Sequence, residues 1–441
     1  MLKDVNVVNE GEVKVLDVLI KGHHFEQISG NISPGKKNIQ EIDGQGLHLF
    51  PGIIDTHVHF REPGLTHKAD IATESKAALA GGVTSFLEMP NTNPLTTSTQ
   101  RAKEKYNLAA SKSVANYGFY IGASYKNYKE LGKLTADDTC GVKIFQGSST
   151  GNMLVNDPEV IDHILRNVDL PIAVHSEDEA VIADNLEIVK NNYPEPWPHK
   201  VHAEIRNTRA CFEASKQITD LARKRNARLH VLHLTTAREL ELFDKNIPVS
   251  DKKVTTEVCP HHLYFDEGDY EKFGGLIKCN PAIKTKMDRM GLIEGLKNGT
   301  IDFVSSDHAP HLATEKDADY KNCPAGIPNI QHGLHILMDL WSQGILTLPD
   351  IAEKMAHNQA QVYQIQNRGF IREGYYADAF LLDTQQQSTV SRDTIEYKCG
   401  WSPLEGQNFP GKITKVWVNG TLSRDAGKFT GESTAMPVRN S

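Results

Sequence analysis

What most limits the folds open to this chain is a rhythm in its apolar residues. From Pro51 onward, runs that read as strands recur at 51–58, 82–88, 116–122, 140–145, 171–175, 228–234, 253–258 and 301–305. Helical patterns separate most of them, as at Ala69–Ala80, Asp157–Asn167, Glu204–Arg225 and Met287–Lys297. A helix between two strands returns the chain to its starting edge, so successive strands pair in parallel. Eight such units over about 300 residues predict a (β/α)8 barrel spanning 51–370. The longest gaps, near 176–203 and 306–330, are expected to form extended loops at its catalytic end.

Outside the barrel the pattern reverts to short strands. In 1–50 they are broken by Gly22, Gly30, Gly35 and Gly44, and 371–441 contains runs such as Tyr376–Asp383 and Ile413–Gly420. The two ends match in length and polarity. They are therefore expected to pair in one small β-sandwich-like domain with the barrel inserted between them. The tail from Gly431 reads as disordered. A chain of 441 residues suits one large barrel plus such an accessory domain.

Composition excludes several classes of function. Apolar residues make up 39% and charged residues 24%, as in a globular protein in water. A formal net charge of −8 gives no electrostatic reason to expect nucleic acid or an anionic membrane as partner. No apolar run approaches the roughly 18 residues of a membrane span. The start, Met1-Leu-Lys-Asp-Val-Asn, lacks the apolar core of a signal peptide. Cys140, Cys211, Cys259, Cys279, Cys323 and Cys399 are scattered without a C-x-x-C pair. That usage points to reduced thiols in the cytoplasm. A small-molecule substrate is the expected partner, and a homo-oligomer is compatible with the sequence.

In a barrel of this kind, functional residues sit at the C-terminal ends of the strands. Strand one ends in Asp55-Thr-His57-Val-His59, with His57 and His59 two apart on one face. A bare H-x-H is more often a pair of core histidines than a metal site. Here, however, strand five ends in His175, strand six in His233, and strand eight runs into Ser306-Asp307-His-Ala-Pro-His311. Strand four carries Lys143 between Val142 and Ile144. Ligand-type residues at five strand ends point to a centre for one or two divalent ions, with donors that suit zinc. A lysine inside a barrel is costly to desolvate unless it is paired or loses its charge. Lys143 is thus either salt-bridged to an acid such as Glu88 or Asp55, or neutral and able to add CO2 as a bridging carbamate.

Pro51-Gly-Ile-Ile-Asp-Thr-His-Val-His-Phe-Arg-Glu-Pro-Gly64, Glu88-Met-Pro-Asn-Thr-Asn-Pro94 and Ser306-Asp-His-Ala-Pro-His311 resemble the dihydroorotases of the amidohydrolase superfamily. The resemblance runs over nearly the whole chain. It implies reversible, metal-dependent cyclisation of N-carbamoyl-aspartate to dihydroorotate in pyrimidine synthesis. It also implies metal ligation by His57, His59, His175, His233 and Asp307, with carboxylated Lys143 bridging, and a catalytic role for Asp307. Related enzymes divide between a carboxylated lysine and an aspartate at the bridge. Gln146 and Gly147 stand where the aspartate form would have its acid. Substrate contacts implied by the resemblance are Arg61, Asn91, Asn280, His311 and the backbone at Ala325 and Gly326. The chain departs from relatives at Asn280-Pro-Ala-Ile-Lys284, where Asn-Pro-Pro-Leu-Arg is common, leaving the role of Lys284 open. The rival readings are a cyclic amidohydrolase for hydantoins, dihydropyrimidines or allantoin, and a non-catalytic scaffold. Among the remaining candidates, His308 is expected to orient the site and one of His261 and His262 to pack behind it. His199 and His202 are expected to be exposed in a loop, and Glu177-Asp178 to start a helix.

Overall fold

The computed structural model describes residues 1–33, 39–147 and 153–440. The strand break expected at Gly35 lies outside them. Eight parallel strands follow one another around a barrel in chain order: Ile53–Val58, Val83–Glu88, Asn116–Gly122, Gly141–Phe145, Ile172–His175, Leu229–Val231, Val254–Val258 and Phe303–Val304. We refer to them as strands one to eight. The ring is joined beyond strand eight, where His308 bridges Val58 in parallel and His59 N donates to His308 O at 2.8 Å.

The two faces of the strands fill two different cores. Ile53, Phe86, Phe119, Val142 and Ile144 pack outward against the surrounding helices. Ile54, Leu87, Tyr120, Ala173, Leu232, Phe303 and Tyr363 fill the barrel interior. There Tyr120 OH donates to Tyr363 OH at 2.7 Å, so the polar tips of both rings are satisfied in an otherwise apolar layer. Strand one carries one extra residue against strand two between Asp55 and Val58. This bulge breaks the simple alternation expected for the strand. Ile54 faces inward and Val58 and Phe60 outward, while His57 and His59 reach the upper interior.

Helices are set by local signals. Asp157 caps Pro158–Asn167 through Glu159 N, and Asp178 caps Glu179–Asn192. The continuous helix expected over Glu204–Arg225 is in fact two, Val201–Ile205 and Thr208–Arg225, because Asn207 caps the second through Ala210 N.

Both termini share one nine-stranded sheet. The strand His48–Pro51 is the seam, parallel to Leu2–Asn9 on one side and antiparallel to Ala379–Thr389 on the other. Its alternation seals two layers: Phe50 stacks on Phe380 with ring centroids 5.1 Å apart on the barrel side, while Leu49 and Leu381 face the sheet's own core. The tail from Gly431 is ordered, contrary to expectation. Tyr117 N donates to Met436 O, Val438 N donates to Tyr117 O, and Val438 is buried in the interior cluster at the foot of the barrel. Hydrogen bonds from Thr434 Oγ1 to Val418 O, Met436 N to Asn116 Oδ1 and Asn440 Nδ2 to Cys140 O add to that hold. Among the described residues no helix is long and apolar enough to cross a membrane.

Candidate metal centre

His57, His59 and Asp307 meet at the mouth of the barrel, all three buried. The hydrogen bonds behind each imidazole fix which nitrogen faces the centre. His57 Nδ1 lies 2.6 Å from Glu257 Oε1, and His59 Nδ1 lies 2.7 Å from Asn91 Oδ1. Both outer partners accept only, so each Nδ1 carries the proton and each Nε2 presents a lone pair. Those two Nε2 atoms each sit 3.1 Å from Asp307 Oδ1. Three acceptors thus converge on one point, and a cation there would satisfy all of them. Without one, the arrangement needs a proton. Burial lowers the His57 pKa, but the Asp307 and Glu257 carboxylates outweigh it and raise the value to about 9.

His175 and His233 form the adjoining pair. His175 Nε2 donates to Glu177 Oε2 at 2.8 Å, and its Nδ1 lies 2.9 Å from His233 Nε2. His233 Nδ1 is buried without a hydrogen-bond partner among the described residues. The His233 ring is 5.4 Å from that of His57, which places the two groups side by side. His233 and Asp307 both have positive φ, 39° and 45°, the backbone turning sharply where their strands end.

Lys143 is level with Ala173 of strand five and fully enclosed. Among the described residues its ammonium makes no ion pair. The acids suggested for it are engaged elsewhere: Glu88 with Lys105 at 2.7 Å, and Asp55 with the backbone N–H groups of His57 and Ser306. Burial lowers the Lys143 pKa to about 7, with Asp307 and Glu257 pulling the other way. Burial thus favours the neutral amine, the form that carbamate formation requires.

Beside the centre lies a positively charged rim. Arg61 is buried, with φ 66°, and its Nε donates to Pro310 O at 3.1 Å. Its Nη2 is 3.2 Å from His311 Nε2, which in turn lies 3.0 Å from Ala325 O. Gly326 is pressed against the same ring. A Cβ there would meet Ala309 O at 2.4 Å and His311 Cδ2 at 2.9 Å, and φ is +146°. Lys316 holds this loop from beneath through the carbonyls of Lys278, Pro324 and Gly326. Arg61, His311, Ala325 and Gly326 are thus brought together. Asn91 stands behind His59, and Asn280 Oδ1 lies 3.0 Å from His202 Nε2.

Three residues given no part in the site from the sequence are integral here. Glu257, unassigned before, spans His57 and His230 with its two oxygens. Burial raises its pKa, but the two histidines outweigh burial and bring the value to about 2. An acid inside a run expected to be a buried strand was the available signal. Glu177 is fully buried between His175 and Arg206 and does not belong to the helix start, which falls to Asp178. His202, expected in solvent, is 2% exposed and bound to Cys279 O, Asn280 and Tyr320. His199 is only partly covered. Lys284 is buried and donates to Thr235 Oγ1 at 2.8 Å. His308 locks the turn after strand eight, meeting Glu74 at 2.8 Å and accepting from Asn329 N. Cys259, His261 and His262 also bring donor atoms within 4.8 Å of one another. There Asn329 Nδ2 donates to His261 Nδ1, which leaves the proton on Nε2, so this ring does not present a lone pair to an ion.

Residues 48–422 match the family described as Amidohydrolase family. A protein named dihydroorotase from Pyrococcus abyssi is 32% identical over 96% of this chain and 93% of its own length. One of the same name from Methanosarcina acetivorans is 27% identical over 97% and 94%. Among solved structures, L-hydantoinase (dihydropyrimidinase) from Arthrobacter aurescens superposes with a TM-score of 0.94 at 24% identity, covering 100% of this chain and 99% of that one. A D-hydantoinase superposes at 0.87 with 24% identity, covering 100% and 98%. At these identities the structural likeness is one of fold.

Proposed function

This chain belongs to the amidohydrolase family and is a cyclic amide hydrolase, and from that premise we propose that its substrate is dihydroorotate. The enzyme would run in cells towards ring closure of N-carbamoyl-aspartate, in pyrimidine synthesis. One observation carries the choice of substrate. The guanidinium of Arg61 is buried beside the centre and has no carboxylate partner among the described residues. A buried cation without a counter-ion is costly, and a substrate carboxylate held by two parallel N–H bonds would compensate it. Hydantoin, dihydrouracil and allantoin bring no such group. Relatives named dihydroorotase agree with this reading.

His57, His59, His175, His233 and Asp307, with Lys143 carboxylated, would hold one or two zinc ions. The amine of Lys143 adds to CO2, the new N–C bond forming as one proton leaves, to give an anion with two oxygens. When bound, a divalent ion polarises the amide carbonyl and acidifies a water to a pKa of about 7. Asp307 handles the protons. Its Oδ1 faces the histidines, and its Oδ2 makes no hydrogen bond among the described residues. Against burial, His57 and His59 hold its pKa well below the carboxylate range, and a bound cation would take over that part, so it starts as a base. In hydrolysis it takes the proton from the attacking water as the C–O bond forms. It returns that proton to the ring nitrogen as the C–N bond breaks, and ring closure reverses both transfers.

Arg61→Ala tests the proposal. KM for dihydroorotate should rise at least tenfold, as a charge-assisted contact is lost, while any turnover of uncharged dihydrouracil stays unchanged. An unaltered kcat/KM for dihydroorotate would remove the substrate assignment.

A further inference from the structure

His311 presents a choice that its surroundings make for it. A neutral imidazole carries one proton, and only the nitrogen bearing it can donate. Lys68, in the loop after strand one, places Nζ 2.9 Å from His311 Nδ1. An ammonium can only donate, so Nδ1 holds the lone pair and Nε2 holds the proton. The far side agrees, because Nε2 lies 3.0 Å from Ala325 O, an atom that only accepts. The Arg61 Nη2 at 3.2 Å from Nε2 is therefore a neighbouring donor with no bond to it. Two N–H groups, one from Arg61 and one from His311, then sit side by side.

A competing arrangement is one short step away. Glu315 Oε2 is 3.8 Å from His311 Nδ1 and would draw a proton onto that nitrogen. Lys68 prevents this by standing between them, with Nζ 2.8 Å from Glu315 Oε1. The loop holding Lys68 is tied to Arg61 itself, since Leu65 N donates to Arg61 O and Lys68 N to Leu65 O. The charged groups facing the ring are Arg61, Lys68, Lys316 and Glu315. Burial and the three cations keep His311 neutral, far below the ordinary histidine range.

Resting on the substrate reading above, we propose that Lys68 is a positioning residue which sets the tautomer of His311, so that the His311 Nε2–H, which donates to Ala325 O, is shared with the substrate carboxylate beside Arg61. Removing Lys68 lets the ring proton shift from Nε2 to Nδ1, where Glu315 accepts a hydrogen bond from it. Nε2 then turns a lone pair towards Ala325 O and offers the carboxylate nothing.

The experiment uses metal-replete enzyme labelled with 15N-histidine, with a His311→Gln spectrum assigning the ring. The wild type should show a bare Nδ1 and a protonated Nε2, Lys68→Met the reverse, and Lys68→Arg the wild-type pattern. For dihydroorotate, Lys68→Met should raise KM about tenfold with kcat within about threefold, and Lys68→Arg should restore it. Lys68→Met with the wild-type tautomer overturns the proposal whatever the substrate. A reversed tautomer with unchanged KM overturns the positioning role together with the reading of His311 on which it rests. A wild type that turns over no carboxylate-bearing cyclic amide defeats the substrate reading alone, and the spectra still decide for or against Lys68 as the residue that sets the tautomer.

Discussion

Asp307 has two jobs in this account, and they are separable. As a ligand it contributes one oxygen to a set that includes four histidines. As an acid–base group it moves the proton between water and ring nitrogen. Asp307→Asn should lose at least about two orders of magnitude in kcat in both directions while keeping most of its metal. Metal content and kcat measured on one preparation decide this, and activity falling only in step with metal loss would reduce Asp307 to a ligand. The carboxylates behind the histidines should matter differently. Glu257→Gln weakens the acceptor on His57 Nδ1, and the expected result is a 10–100-fold loss of metal affinity, read by competition with a chelator. Glu177 gives a pH dependence. Burial raises its pKa, but Arg206 and His175 outweigh burial and lower the folded-state value from 4.5 to about 2. Its contribution to stability is therefore complete above about pH 4.5 and lost between there and about pH 2. Chemical denaturation across that window should show the fall, and Glu177→Gln should flatten it. The candidate ligands were legible in the sequence because each stands at the end of an apolar run. Glu257, Glu177 and His202 were not, because His57, Arg206 and Tyr320, which engage them, lie 200, 29 and 118 residues away and only the folded chain brings these groups together.

Strand ends carry the chemistry, and the elements around them supply its precision. Glu88 closes strand two, pairs with Lys105 of the helix Thr99–Lys112, and accepts from Phe60 N between His59 and Arg61. Both side chains are almost wholly buried, at 0% and 1% exposure. Lys105→Met would strand the carboxylate, and a loss of about 3–5 kcal/mol is expected from denaturant unfolding. Adding Glu88→Gln should recover much of it, because the uncompensated charge is then gone. The alternation of strand and helix could be read from periodicity alone. The break at Arg206–Asn207 could not, because a capping asparagine within a helical pattern looks the same until its side chain is seen on Ala210 N. The bulge in strand one is likewise invisible in composition, and it depends on register against strand two.

At the scale of the molecule, the two ends of the chain meet in one sheet. The shared sheet could be anticipated from matching strand patterns, with the seam at His48–Pro51 fixed by its neighbours. The ordered tail could not, since a single buried valine and a few scattered hydrogen bonds leave no periodic trace. Val438→Asp should place an unpaired charge in the interior cluster and cost about 2–4 kcal/mol in thermal unfolding. Activity at low temperature should survive, because the site is at the opposite end. In the proposed function, a charged rim beside the metal-ligand cluster selects a cyclic amide that carries a carboxylate. The direct measurement is kcat/KM of the metal-replete enzyme for dihydroorotate, dihydrouracil, hydantoin and allantoin side by side. Dihydroorotate should lead by at least two orders of magnitude, as expected when a buried cation is left unpaired by every competitor. Equal or better turnover of a neutral ring would contradict it.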